Sequence, residues 1–256
     1  MMLQRIVPVT FREEIAENVF VLRFECNEIV CSASPGQFVN IRCGDACLPL
    51  LRRPFSISRV LGDEVELLFN VVGQGTRMLA GKRVGDSLDV LGPLGLPFNF
   101  GADFKTGLIV AGGVGVAPFP FLTSVLRKKG KRIVTFLGAR TASQLAPTHL
   151  DDIHLATDDG TKGYHGTVVD LLRSYLDQHR VESPRLFGCG PTNMLKALTN
   201  VAQEMNIECE LSLEGDMACG IGLCQGCPVE RTKGERKYAL VCVEGPTFNS
   251  KDILIP

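Results

Sequence analysis

Near residue 98 the hydrophobic pattern of the chain changes period, and this change limits the possible folds more than any other feature. Before it, the runs NVFVLRFEC (18–26), GQFVNIRC (36–43), PFSISRV (54–60), EVELLFNVV (64–72) and SLDVLG (87–92) are short and rich in β-branched and aromatic residues. They alternate at period two between Gly, Pro and Asp punctuation, which predicts strands, and strands so closely spaced predict a barrel or sandwich. After it, LIVAGG (108–113) and RIVTFLG (132–138) are apolar without alternation, as strands buried on both faces must be. Helical stretches at 119–129, 167–179 and 192–205 separate these runs from HLATDDG (154–160) and RLFGCG (185–190), which predicts a parallel sheet with helices on its faces. From about residue 209 the chain becomes Cys- and Gly-rich with little helical periodicity. A tail of that size buries little surface by itself and is expected to need a metal centre. The expected fold class is therefore multidomain α/β plus β: a β-barrel unit (1–101), an α/β unit (102–208) and a small C-terminal unit (209–256).

Charge excludes some partners. Lys+Arg total 27 against 28 Asp+Glu, a net charge of −1, so nothing electrostatic favours nucleic acid or an anionic membrane. The first twenty residues contain no signal-peptide apolar segment. The most apolar stretch, 107–122, is too short to span a bilayer and is broken by Gly and Pro. A cytoplasmic protein is expected. Ten cysteines are many for a reducing compartment, where disulfides are rare. Clustered cysteines then point to metal, and scattered ones such as Cys26 and Cys209 to small buried hydrophobes.

Two strand-to-helix turns are candidates for a nucleotide. In IVAGGVGVAP (109–118), Gly112, Gly113 and Gly115 let backbone approach a pyrophosphate at a helix N-terminus, although the spacing departs from G-x-G-x-x-G. FGCGPTNM (187–194) places Cys189, Gly190 and Pro191 at a second such turn, and ligands in open α/β sheets bind beyond the strands' carboxyl ends. In the barrel, RRPFSIS (52–58) presents Arg53, Pro54, Phe55 and Ser56. These supply a guanidinium for a diphosphate, an aromatic for a flavin face and a hydroxyl for a ring nitrogen. VVGQGTRM (71–78) adds Gly75 and Thr76 in a turn whose N–H groups suit a phosphate. Taken singly, each of these has a bland reading as an ordinary turn or strand.

Their order is more specific. PGQFV (35–39), RPFS (53–56), GQGT (73–76), GPLG (92–95), AGGVGVAP (111–118) and CGP (189–191) resemble, in sequence, the ferredoxin–NADP reductase superfamily over roughly residues 1–208. The resemblance implies an antiparallel FAD-binding barrel followed by a nicotinamide-binding α/β domain. It also implies FAD contacts from Arg53–Ser56, Leu68, Phe69, Asn70, Gly75 and Thr76, and NAD contacts from Gly112, Gly113, Gly115, Gly190 and Pro191. Cys189 would lie near the nicotinamide.

Cys219, Cys224 and Cys227 form C-x4-C-x2-C, with Cys242 after fourteen intervening residues, which is the plant-type [2Fe–2S] spacing. Zinc sites more often begin with a C-x2-C pair. The segment SLEGDMACGIGLCQGC…CVEGPTF, with ATDDG (156–160), closely resembles the electron-transfer subunits of type B dihydroorotate dehydrogenase. That resemblance implies electron transfer between NAD(H), FAD and the cluster, in pyrimidine biosynthesis, to or from an FMN-containing catalytic subunit in a hetero-oligomer, a heterotetramer. Two residues depart from the pattern: Phe55 stands where many flavin reductases have Tyr, and Asn70 where the nearest family has a basic residue. Alternatives are a subunit of a bifurcating ferredoxin–NADP reductase, sulfide dehydrogenase or hydrogenase, and a zinc-stabilised binding module. For the dinucleotide, Arg140, Thr141 and Ser143 in GARTASQ (138–144) suit a 2′-phosphate, whereas the family resemblance favours NADH.

Overall fold

The computed structural model describes residues 2–44 and 48–255. Strands β1 (Leu3–Ala16), β2 (Val19–Glu25), β3 (Phe38–Arg42), β4 (Arg53–Leu61), β5 (Glu64–Asn70) and β6 (Ser87–Leu94) close an antiparallel barrel in the order β1-β2-β5-β4-β3-β6. Closure leaves no free edge. β1 was not among the expected strands, yet it seals the barrel by pairing with β2 on one side and β6 on the other, bending through two register shifts. The inward residues of the alternating runs, among them Leu22, Phe24, Ile41, Ile57 and Leu67, are fully buried and form one core with Ile29 of α1 (Asn27–Ser32) and Leu79 of α2 (Gln74–Ala80).

The α/β unit contains β7 (Thr106–Gly112), α3 (Phe119–Lys128), β8 (Arg132–Ala139), β9 (Ile153–Thr157), β10 (Tyr164–His165), α4 (Val168–Gln178), β11 (Pro184–Cys189), α5 (Thr192–Glu204) and β12 (Glu208–Ser212). Its parallel sheet runs β10-β9-β8-β7-β11-β12. Leu108, Val110, Val134 and Phe136 pack on one face against Leu172 of α4 and Leu195 and Leu198 of α5. Ile109, Ala111, Ile133 and Leu137 pack on the other against Phe119, Leu122 and Leu126 of α3. Both faces are covered, which is why these strands read as unbroken apolar runs. The chain builds outward from β7 in one direction and then from β11 in the other, so the switch point lies between β7 and β11.

The C-terminal segment adds β13 (Pro228–Arg231), β14 (Tyr238–Leu240), α6 (Val241–Glu244), β15 (Thr247–Asn249) and β16 (Ile253–Leu254). β14, β13 and β16 form a small sheet, while β15 pairs antiparallel with β12 and becomes a seventh strand of the large sheet. β12 thus carries the parallel sheet across the expected break at residue 209. The tail is not held by a metal centre alone: Val229, Ala239, Val241, Phe248 and Ile253 share one buried core with the sheet face under α4 and α5.

Candidate functional site

The two turns expected at the nucleotide site lie side by side beyond β7 and β11, whose ends pair Ala111 with Cys189. Their glycines do different work. Gly113, at φ +55°, has open space where a Cβ would point. A Cβ on Gly115 would lie 2.7 Å from the amide nitrogen of Gly190, and one on Gly112 would lie 2.8 Å from Pro191 Cδ. Gly112 and Gly115 therefore let the turns touch, and Gly113 keeps the surface open. The expected helix begins at Phe119, after a single 3-10 turn over Gly113–Val116.

Gly112, Gly113, Pro191, Arg140 and Asp158 line a cleft of about 440 Å³ on this end of the sheet. Gly113, Arg140 and Gln144 continue into a second hollow that reaches Val114 and Asn70. Val114 and Asn70 in turn line a third cleft of about 290 Å³, whose walls include Pro54, Phe55, Ser56, Leu68, Phe69 and Cys189. The shared residues make one track from Asp158 to Phe55. Asp158 was not a sequence candidate; its position at the end of β9, in DDG, was the available signal. Thr141 and Ser143 are committed elsewhere: their hydroxyls lie 2.9 Å apart, and Ser143 Oγ donates to Glu17 at 2.6 Å.

The flavin candidates divide in two. Pro54, Phe55, Ser56, Leu68, Phe69 and Asn70 share the cleft, with the Phe55 ring edge-on to Phe69 at 5.4 Å. Asn70 Oδ1 is buried without a hydrogen-bond partner, and so is free to accept from a bound ring system. An apolar wall with one unpaired amide oxygen suits an isoalloxazine. Arg53, Gly75 and Thr76 lie outside the lining of this cleft; a Cβ on Gly75 would be 3.3 Å from Arg53 Cγ. The expected turn at GQGT is in fact the start of α2, because Thr76 Oγ1 accepts from the N–H groups of Val72 and Gly73, both at 3.0 Å, and caps it.

Cys189 is buried, and burial pushes its thiol well above the ordinary value, with the Glu214 carboxylate adding to the effect and a hydrogen bond with Ser212 opposing it. A thiol so placed stays protonated and acts by shape. Leu213, Glu214, Gly215 and Met217 complete the cleft wall. Glu214 was not anticipated from sequence. It meets solvent at the cleft, but protein crowds its other sides, and that burial raises its carboxyl above the usual range.

This same segment runs on into the four cysteines. Ile221 N–H and Cys224 N–H donate to Cys219 Sγ at 3.5 and 3.4 Å, Gly226 N–H to Cys224 Sγ at 3.4 Å, and Cys242 N–H to Cys227 Sγ at 3.5 Å. Gly220 and Gly222, at φ +72° and +83°, give the turn its left-handed bends. Burial pushes the Cys219 thiol up, but the N–H donors from Ile221 and Cys224 outweigh it and bring it to about 6. Burial, then the neighbouring Cys227, raises Cys242 to about 12. Cys227 and Cys242 are buried, and Cys224 is exposed. The hydrogen bonds associate Cys219 with Cys224 and Cys227 with Cys242. Two cysteine pairs with backbone N–H groups aimed at sulfur suit a two-iron cluster, in which each iron takes two sulfur ligands from the protein.

The profile of the family described as the iron–sulfur cluster binding domain of dihydroorotate dehydrogenase B matches residues 214–254. Over 255 residues the chain is 38% identical to the dihydroorotate dehydrogenase B (NAD+) electron transfer subunit of Bacillus velezensis, covering 96% of this chain and 97% of that protein. It is 35% identical to the corresponding subunit of Desulforamulus reducens, covering 94% of each. Among solved structures, an NADH-dependent reduced ferredoxin–NADP oxidoreductase studied for flavin-based electron bifurcation superposes with a TM-score of 0.84 at 28% identity, over 97% of this chain and 90% of that one.

Proposed function

Because the chain belongs to the family of dihydroorotate dehydrogenase B (NAD+) electron transfer subunits, we propose that it binds NADH and FAD along the track described above and a [2Fe–2S] cluster at the four cysteines beyond its Met217 wall. Its partner is an FMN-containing catalytic subunit, in a cytoplasmic heterotetramer that serves pyrimidine biosynthesis. The single observation that carries this reading is the segment Leu213–Met217, which walls the flavin cleft beside Cys189 and leads within two residues to Cys219. No helix is long and apolar enough to cross a membrane among the described residues. The working division is a flavin unit at 1–101, a nicotinamide unit at 102–208 and a cluster unit at 209–256.

Each residue has a defined task. Gly113 and the neighbouring turn give the dinucleotide pyrophosphate close access to backbone, while Gly112, Gly115, Gly190 and Pro191 shape that turn pair. Asp158 accepts hydrogen bonds from a ribose diol and repels a 2′-phosphate, which favours NADH over NADPH. Phe55, Leu68 and Phe69 hold the ring apolar and dry, Ser56 and Asn70 meet its polar edge, and Cys189 packs where the nicotinamide must arrive. Arg53 neutralises charge on the FAD diphosphate, and the N–H groups of Gly75 and Thr76 in the first turn of α2 donate to it. Cys219, Cys224, Cys227 and Cys242 hold the cluster. When bound, FAD exchanges a hydride with NAD(H) and single electrons with the cluster, which relays them to or from the partner.

The test is the visible spectrum of the purified protein during NADH addition, with Cys219→Ser and Cys242→Ser alongside. Flavin and [2Fe–2S] bands that bleach with NADH are expected, and each variant should lose the cluster yet keep FAD and flavin reduction. A colourless protein, or simultaneous loss of flavin from both variants, contradicts the assignment. Absence of NADH-linked dihydroorotate–orotate exchange with the catalytic subunit present would contradict the partner alone.

A further inference from the structure

Asn40 is a fully buried polar residue in the middle of β3, flanked by Val39 and Ile41. Its neighbours' side chains enter the barrel core, so by strand alternation the Asn40 side chain leaves it. Its main chain is paired with Pro54 of the flavin wall on one side and Leu91 on the other. Outside the barrel its Nδ2 donates to the carbonyl of Cys219 at 3.2 Å. Gly220 is cut to receive it: at φ +72°, a Cβ on that residue would overlap Asn40 Nδ2. The other half of the amide, Oδ1, is buried without a partner. An unpaired buried acceptor costs folding free energy, and an apolar residue of the same shape would avoid the loss. The bond to Cys219 is what the chain gains by keeping an amide there.

We propose that Asn40 is a positioning residue for electron transfer, clamping the first cluster-binding turn onto the flavin barrel. One residue is thereby hydrogen-bonded by its backbone to the strand carrying Pro54 and by its side chain to the turn carrying Cys219. The clamp fixes the distance between flavin and cluster. It also holds the turn in which Ile221 N–H and Cys224 N–H reach Cys219 Sγ. Donors to a ligating sulfur stabilise the added negative charge of a reduced cluster, so they raise its potential. Releasing the Cys219 carbonyl lets these donors drift, and the cluster becomes the poorer electron acceptor.

The inference rests on the proposed [2Fe–2S] site and is tested on the full chain carrying FAD and cluster, with Asn40→Leu and Asn40→Asp. Both variants should bind FAD and reduce it with NADH as the wild type does. At a fixed NADH/NAD+ ratio, the ratio of reduced cluster to reduced flavin should fall about tenfold, equivalent to about 59 mV for a one-electron couple. The electron paramagnetic resonance spectrum of the reduced cluster should change its g-values. Loss of the cluster with FAD retained is the stronger form of the same outcome. An FAD-loaded variant with wild-type resonance and wild-type partition overturns the proposal, as does loss of FAD from both variants, which would make Asn40 a barrel residue only. A wild-type protein without the cluster resonance would instead refute the [2Fe–2S] reading itself.

Discussion

Replacing Gly115 by Ala tests the geometry at the meeting point of the two turns. The new methyl would stand 2.6 Å from the carbonyl carbon of Cys189 and 2.7 Å from the amide nitrogen of Gly190. Ordinary carbon contacts are about 3.5–4.0 Å, so the turns must separate by roughly 1 Å. The obstructing atoms are backbone, and no rotamer change relieves them. Overpacking of this kind costs about 1–3 kcal/mol of stability, which a chain with three buried cores should survive. Function is more sensitive, because a misplacement of about 1 Å between reacting groups lowers a rate by about a hundredfold. Stopped-flow measurement of flavin bleaching by NADH should therefore show a slower limiting rate in Gly115→Ala, with FAD and cluster content unchanged. Gly113→Ala is the control. Its Cβ meets nothing within 4 Å, and the φ of +55° adds only about 1–2 kcal/mol of strain. It intrudes on the dinucleotide, so it should raise KM for NADH and leave the limiting rate alone. A Gly115→Ala protein that holds FAD and bleaches at the wild-type rate would refute the contact argument, because the turns would then be free to part without consequence.

Two further outcomes follow from carboxylates that protein crowds. Glu210 accepts two hydrogen bonds from Arg185, one of them from Nε at 3.1 Å, and its other oxygen accepts the Asn99 N–H at 2.7 Å. Glu210→Gln leaves the buried Arg185 cation without its counter-charge, a loss of about 3–5 kcal/mol, and calorimetry should find Tm lower by about 6–20 °C. Glu214 is raised above its ordinary value of 4.5 by burial, so its contribution is fully present below that pH and is lost as pH climbs through the raised value. Glu214→Gln should accordingly match the wild type in acid and exceed its thermal stability increasingly toward neutral pH; an unchanged difference across that range would show that the carboxyl is freely solvated.

The sequence made the barrel strands and the buried α/β strands legible because each is a local pattern: alternation for one covered face, continuous apolarity for two. The cysteine spacing was legible for the same reason, since a cluster demands its ligands at fixed intervals. What could not be read depended on distant partners. β1 begins with polar residues such as Gln4 and Arg5, and it becomes a strand because β2 and β6 supply ladders on both sides. The turn at Gln74–Thr76 looked like an isolated phosphate loop, but Leu79 and Ala80 bury against the barrel and extend it into a helix. The track's Asp158 and Glu214 lie in segments that were legible as motifs, ATDDG and SLEGD, but nothing local says that either side chain faces a ligand. They join the site only after β9 and β12 have been ordered within one sheet.

The pairing of β12 with β15 has a consequence for how this protein can be taken apart. The cysteine-bearing residues are not a pendant; they form a loop whose two ends are stitched into adjacent strands of the nicotinamide sheet. Cutting the chain ahead of Glu208 would strip β12 as well as β15 and bare the full flank of β11, a template for sticking to other chains. A cut between Leu213 and Pro246 keeps the strand order of the sheet, but it removes Val229, Ala239 and Val241 from the core they share with it, so anyone grafting or deleting the electron exit there must refill that face.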